Sequence, residues 1–184
     1  MTTPTVLILP GWQGSGPDHW QSRWERRHGH QRVEQHDWIR PLRGDWTARL
    51  EDVVSAQPGP VLLAAHSLGC ILTAWWAAHT RHADRIAGAL LVAPPDIERD
   101  DNRQQVPGWA PPARQRLPFP AVLVASSDDP FGSLDSATRL ASDWGADLLN
   151  LGPKGHINAD SGLGDWDEGH ALLLSLAASE RRPV

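Results

Sequence analysis

A serine stands between an apolar run and a helical stretch in the segment VLLAAHSLGCILTAWWAAH. Ser67 follows the apolar run directly, and small residues, Ala65 and Gly69, lie two positions before and after it. Small residues there let a strand and a helix approach closely around a strained turn that exposes a nucleophile. The usual turn has glycine at the first position, and Ala65 differs by one methyl group. The alternative is that Ser67 only caps the helix, but strand, small residues and helix together favour a nucleophile.

A serine hydroxyl is a poor nucleophile at neutral pH, so acyl transfer needs a base and hydrogen-bond donors for the oxyanion. The backbone N–H of Leu68, at the start of the helix, is the first expected donor. The second should come from the turn after the first strand, which contains Pro10, Gly11 and Trp12. We favour the backbone N–H of Trp12.

Nine histidines compete for the role of the base. In this type of fold the acid and then the histidine follow the serine, on loops after later strands. His156 fits this order, because it lies in the loop GPKGHIN after a weak strand. His79 and His82 end the helix after Ser67, His66 flanks the serine on a side not expected to reach it, and His170 lies in the last helix. The remaining histidines precede the serine without regular ligand spacing, so no zinc site is expected: His19, His28, His30 and His36.

Two adjacent carboxylates follow a late strand in the segment SSDDPF, at Asp128 and Asp129. The acid of such a triad fixes the imidazole tautomer and stabilises the imidazolium during acyl transfer. Neighbouring residues on a turn point in different directions, so one of the two is expected to face His156. We favour Asp129 and expect Asp128 to support the loop through backbone N–H groups.

The elements that must position these residues alternate along the chain. Four short apolar runs predict buried parallel strands, at 6–9, 61–65, 89–92 and 121–125. A weaker apolar run predicts a fifth strand over 147–151. The alternating pattern over 32–38 is typical of an edge strand. Helical spacing of apolar residues covers 19–27, 46–55, 71–79, 136–144 and 168–178. Strands alternating with helices predict a doubly wound, mostly parallel sheet of about six strands, with helices on both faces and the ligand site at the carboxyl ends of the strands.

The segment between Pro94 and Pro118 contains many prolines and mixed charges and has no clear periodicity. It connects two predicted strands. Long loops of this kind are often functional, so two interpretations stay open: a flap over the site, or a surface excursion.

Length and composition are those of one globular domain spanning residues 1–184. Hydrophobic residues make up 40% of the chain and charged residues 21%. The formal net charge of −5 gives no basic field for a nucleic acid or an anionic membrane. A small-molecule ester or amide is the expected partner, and nothing in the sequence indicates a protein partner.

The compartment is predicted from two features. Cys70 is the single cysteine, so the fold does not depend on a disulfide. The first residues, MTTPTVLILPGW, lack a basic region and a long apolar run, and they are expected to form a strand rather than a signal peptide. These features favour a cytoplasmic protein without a membrane span.

Four short motifs occur in a specific order: LPGW after the first strand, HSLG at the serine, SDDPF after a late strand, and GHIN before the last helix. In order and spacing the chain resembles the small serine hydrolase family that includes retinoblastoma-binding protein 9. The resemblance implies a single α/β-hydrolase domain with little or no lid. It also implies that the second aspartate of the DDPF stretch, Asp129, is the acid of the triad.

Together these patterns predict a serine hydrolase that cleaves a small carboxylic ester, less readily an amide, through an acyl-Ser67 intermediate and without a metal or organic cofactor. Trp12 and Trp109 hint at an aromatic or apolar acyl pocket. Two alternatives stay open: an interaction module on a hydrolase fold, and an acyltransferase with the same triad.

Overall fold

A computed structural model describes residues 3–179 and contains a six-stranded sheet. The strands are β1 (Thr5–Leu9), β2 (Gln31–Arg32), β3 (Val61–His66), β4 (Ile86–Val92), β5 (Ala121–Ala125) and β6 (Asp147–Asn150). Their order across the sheet is β2-β1-β3-β4-β5-β6, and every neighbouring pair is parallel. Because all carboxyl ends of a parallel sheet lie along one edge, the loops after β3, β5 and β6 meet there.

Helices cover both faces of this sheet. They are α1 (Trp20–His28), α2 (Arg43–Ser55), α3 (Leu68–Ala77), α4 (Asp100–Gln105), α5 (Leu134–Trp144) and α6 (Asp167–Ser179). Successive side chains of a strand point to opposite faces, so Leu63 belongs to a hydrophobic cluster with residues of α2, α3 and α5, while Leu62 belongs to the cluster with residues of α1 and α6. Every residue of β3 and β4 is buried, which explains why both strands are almost entirely apolar in sequence. The predicted α/β-hydrolase-like architecture is confirmed.

The edge strand predicted over 32–38 is wrong in its extent. The structure has only two paired residues there, in β2, and one further ladder-like hydrogen bond from the N–H of Val33 to the carbonyl of Ile8. Beyond it, the carboxylate of Asp37 accepts the N–H groups of Ile39 and Arg40, which turns the chain away from the sheet. The alternating pattern arises because single residues of an irregular segment pack inward.

The segment between Pro94 and Pro118 contains the short helix α4, which its sequence did not predict. Hydrogen bonds tie this segment to the rest of the domain. The side-chain amide of Asn102 donates to the carbonyls of Asp96 and Phe131 at 2.8 and 2.7 Å. Among residues 3–179, no helix has both the length and the apolar character needed to cross a bilayer.

Candidate active site

Ser67 occupies a sharp turn between β3 and α3. Its backbone has φ 54° and ψ −122°, a positive φ that residues other than glycine rarely adopt. The N–H of Ser67 donates to the carbonyl of Val92 in the neighbouring strand at 2.9 Å, which holds the turn in place. The side chain makes no capping hydrogen bond to α3. The hydroxyl is therefore turned to another partner, and Ser67 does not serve as a side-chain cap of the helix.

Two glycines allow backbone segments to meet at this turn. A Cβ at Gly69 would collide with the carbonyl oxygen of Leu9, so α3 could not approach β1 with any larger residue. A Cβ at Gly11 would lie 2.8 Å from the Cβ of Ser67 and 3.1 Å from the backbone nitrogen of Leu68. Because Gly11 and Gly69 both lack side chains, the turn after β1 can lie directly against Ser67.

Replacing Gly11 with alanine is expected to displace the turn after β1 from Ser67 and to lower the specificity constant for an ester substrate by roughly 10- to 100-fold, since misplacement by about 1 Å has effects of that size. The measurement is kcat/KM for p-nitrophenyl acetate. Gly44→Ala is the matched control, because a Cβ at Gly44 meets no atom within 4 Å. Equal activity of both variants would contradict the close approach.

Ser67, His156 and Asp129 form one chain of hydrogen bonds. The Nε2 of His156 lies 2.9 Å from the Oγ of Ser67, and its Nδ1 lies 3.0 and 2.9 Å from the two carboxylate oxygens of Asp129. An ionised carboxylate only accepts, so Nδ1 carries the proton and Nε2 accepts from the serine hydroxyl. The side chains of Asp129 and His156 are 4% and 11% exposed, so little water competes for these contacts.

The two aspartates of the SSDDPF segment have separate contacts. Asp129 faces His156 and also accepts the N–H of Phe131 at 2.9 Å. Asp128 accepts the N–H of Gly155 at 2.7 Å and the hydroxyl of Ser126 at 2.8 Å. These bonds, the one from Gly155 first, hold the pKa of Asp128 below its usual range. Asp128 therefore supports the loop that carries the histidine, and the structure brings Asp129 to the imidazole.

The two backbone N–H groups expected to bind an oxyanion lie beside the serine. Within residues 3–179, neither the N–H of Trp12 nor that of Leu68 donates to a protein acceptor. Both residues line the same cavity as Ser67. The arrangement can therefore offer two donors to a negatively charged oxygen bound next to the hydroxyl.

A cavity of about 360 Å³ opens above these groups. One wall comes from the segment between Pro94 and Pro118, which contributes Ile97 and Val106, together with Phe131. Further lining residues come from the loop after β1 and the loop after β6, including His19 and Asn158. The proline-rich segment is thus a side wall of the cavity.

The tryptophans divide between this cavity and the core. Trp12 lines the cavity, and its indole N–H donates to the carbonyl of Ile39 at 2.8 Å. Trp109 is fully buried, donates to the carbonyl of Pro41 at 2.9 Å and packs edge-on against Trp46. The expectation that Trp109 lines the pocket is wrong, because its indole is buried in the core and packs against Trp46.

Sequence reasoning assigned no role to two histidines that line the cavity, His19 and His66. The ring of His66 packs against that of His156 with 4.8 Å between centroids, and the ring of His19 packs against His66 at 4.6 Å. The sequence feature that could have identified His66 is its position directly before Ser67, at the carboxyl end of β3. His19 carried a weaker signal, at the predicted start of a helix that follows the turn after β1.

Three other histidines pack together between α1 and α6. The Nε2 atoms of His30 and His170 are 2.8 Å apart, and the rings of His28 and His170 stack at 3.9 Å. Burial, and then His170 and His28, lower the pKa of His30 to about 4. In the part of the chain that the structure describes, no group of three or more candidate ligands is arranged to hold a metal ion.

Comparison with protein families agrees with this geometry. A family model described as serine hydrolase matches residues 6–175. The chain belongs to the serine hydrolase family. The matched range contains Ser67, Asp129 and His156, and the match confirms the family to which the four motifs pointed.

Solved structures resemble this serine hydrolase over nearly its whole length. A YdeN-like hydrolase from Pectobacterium atrosepticum is 31% identical, with a TM-score of 0.83 over 96% of this chain and 92% of the other. The ydeN gene product of B. subtilis is 20% identical, with a TM-score of 0.76 over 96% and 100%. Est1E from Butyrivibrio proteoclasticus is 12% identical, with a TM-score of 0.70 over 96% and 89%, and shares the fold. Comparison with curated proteins found no match to this chain.

Proposed function

We propose that this chain hydrolyses small carboxylic esters that carry no negative charge, through an acyl-Ser67 intermediate. The observation that carries the proposal is the continuous contact from Asp129 through His156 to Ser67, at the floor of a cavity. Membership of the serine hydrolase family supports the same chemistry. An ester is favoured over an amide because an alcohol oxygen is a better leaving group than an amide nitrogen.

Acylation begins when the Oγ of Ser67 attacks the ester carbonyl and its proton passes to the Nε2 of His156. The negative charge that forms on the carbonyl oxygen is held by the N–H groups of Leu68 and Trp12. Collapse of the tetrahedral intermediate breaks the bond to the alcohol oxygen, which takes the proton from His156. Asp129 holds the imidazole in the required tautomer and stabilises its charged form.

Deacylation repeats these steps with water. His156 removes a proton from a water molecule as the water oxygen attacks the acyl carbonyl. The N–H groups of Leu68 and Trp12 hold the second oxyanion. The bond to Ser67 then breaks, its oxygen regains a proton from His156, and the carboxylic acid leaves. All groups in this cycle belong to the chain, the substrate or water.

The proposal is tested by a fluorophosphonate probe, which reacts with activated serines, together with turnover of p-nitrophenyl esters. Native protein is expected to label once per chain, with the adduct in the peptide that contains Ser67, and heat-denatured protein is expected not to label. Hydrolysis of p-nitrophenyl acetate should fall in proportion to labelling. Absence of both native labelling and turnover across esters of graded acyl length would overturn the hydrolase proposal and leave a non-catalytic role.

The preference against a negatively charged substrate rests on the groups around the cavity. Among the described residues, no lysine or arginine lines it. Burial, and then His156 and Arg32, lower the pKa of His19 to about 3, and burial holds the pKa of His66 well below its usual value. Both histidines are therefore neutral near pH 7, and a carboxylate on the substrate would enter without a counter-charge.

A matched pair of esters checks this preference. The kcat/KM for p-nitrophenyl butyrate is expected to exceed that for p-nitrophenyl hemisuccinate by at least about tenfold, because an unpaired anion loses its hydration in the cavity. Gln105→Lys places a cation at the exposed rim and should narrow the ratio by roughly threefold, as a solvent-screened pair would. Equal rates on the two esters, or a faster hemisuccinate reaction, would show that the cavity accepts anions.

A further inference from the structure

We propose that His66 is a positioning residue, whose imidazole anchors the backbone of His156 and thereby sets the reach of the base to Ser67. The inference rests on the proposed ester hydrolysis, in which His156 is the base. It assigns a role to the histidine of the HSLG motif, which takes no part in the acyl-transfer steps.

The contact that supports this role is short and joins distant parts of the chain. The Nε2 of His66 lies 2.8 Å from the carbonyl oxygen of His156, across 90 positions of sequence. A carbonyl only accepts, so Nε2 carries the hydrogen and donates it. His156 is thus bound twice to consecutive residues: its side chain contacts Ser67, and its backbone contacts His66.

The loop that carries His156 has a backbone that needs external support. Gly155 and Ile157, on either side of the base, have φ of 56° and 48°, and a positive φ is unfavourable for isoleucine. The carboxylate of Asp128 holds the N–H of Gly155, and the indole of Trp20 donates to the carbonyl of Ile157 at 2.9 Å. The bond from His66 adds an anchor at the base itself, from the strand that also positions the nucleophile.

The surroundings of His66 keep this donor fixed. Its side chain is held between His156 and His19, whose ring lies edge-on at 4.6 Å. Burial, and then the neighbouring His19 and His156, lower the pKa of His66 well below its usual value. A neutral imidazole has one hydrogen, and the carbonyl of His156 places it on Nε2. The residue beside the base therefore stays uncharged when His156 itself becomes imidazolium.

A matched pair of substitutions separates anchoring from packing. Glutamine and methionine have similar length, but only glutamine carries an N–H donor that can reach the carbonyl of His156. His66→Met is expected to lower kcat for p-nitrophenyl acetate by roughly 100-fold, with KM within about threefold, because a displaced base loses alignment rather than substrate binding. Fluorophosphonate labelling should slow by a similar factor. His66→Gln is expected to recover kcat to within about fivefold of wild type.

Thermal unfolding of each variant shows whether it is folded. If His66→Met does not fold, His66→Asn replaces it in the comparison, because its amide is one bond shorter than that of glutamine and falls short of the carbonyl. A large loss of kcat in His66→Asn but not in His66→Gln would then support anchoring. The role of His66 would be overturned if His66→Met or His66→Asn kept the wild-type kcat. It would also be overturned if His66→Met and His66→Gln lost kcat equally.

These outcomes are distinct from failure of the proposed function. If wild-type protein neither labels nor turns over esters, the hydrolase proposal fails and the role of His66 fails with it. If wild-type protein turns over esters and Ser67→Ala does not, while His66→Met retains full kcat, the positioning role alone fails.

Discussion

Ser67→Ala is expected to lower kcat for p-nitrophenyl acetate by on the order of a million-fold, the effect of removing a serine nucleophile from a comparable triad. Alanine deletes the oxygen that lies 2.9 Å from the Nε2 of His156 and leaves the turn intact. What remains is the weak rate enhancement from the two unpaired N–H groups. The measurements are steady-state turnover and labelling by a fluorophosphonate probe, which should disappear.

The control for this substitution is another serine on the same edge of the sheet. Ser127 follows β5, its side chain is exposed, and its backbone N–H bonds to the carbonyl of Gly152 whatever its side chain. Ser127→Ala should therefore label and turn over ester like wild type. Labelling of Ser67→Ala at the wild-type rate would assign the reactive serine elsewhere.

Asp129→Asn is expected to lower kcat by about 10⁴-fold without loss of the fold. The amide has a donor of its own and can turn an N–H toward Nδ1, which favours the tautomer with the proton on Nε2. His156 would then face Ser67 as a donor and could not accept the serine proton. The substitution keeps the shape of the side chain, so thermal unfolding should change much less than the rate.

Asp128→Asn is the matched control, since it makes the same chemical change one residue earlier. The asparagine oxygen can still accept the N–H of Gly155, so activity should stay within about tenfold of wild type. The assignment of the acid is contradicted if Asp128→Asn shows the larger loss. A similar large loss in both variants would show that loop support by Asp128 is as necessary as the contact of Asp129 with the base.

The sequence was most informative where local pattern and chemistry coincide. The apolar run before Ser67, the flanking Ala65 and Gly69 and the helix after them are all consecutive in the chain, so the turn could be predicted without tertiary information. Chain order then placed His156 on a later loop. The structure brings these residues together with Asp129, in agreement with the motif order.

Other features depend on contacts that local pattern does not encode. His66 was assigned no role because it flanks Ser67 on a side not expected to reach the hydroxyl, whereas its partner is the carbonyl of His156. Trp109 was expected in the pocket from its position within the segment between Pro94 and Pro118, yet its indole is buried in the core. The residues of α4 are mostly polar and exposed, with Asn102 as the buried one, so six residues of helix left no periodic apolar signal.

The segment between Pro94 and Pro118 lines the cavity without carrying any of the residues to which the proposed chemistry is assigned. Two hydrogen bonds tie the segment to the rest of the domain: the indole of Trp109 donates to Pro41, and the amide of Asn102 donates to Phe131. The apolar residues with which it lines the cavity include Ile97 and Val106, and neither belongs to the loops that carry Ser67 or His156. If the proposed mechanism holds, substitutions at these two positions are expected to change which esters bind while leaving Ser67, Asp129 and His156 in place.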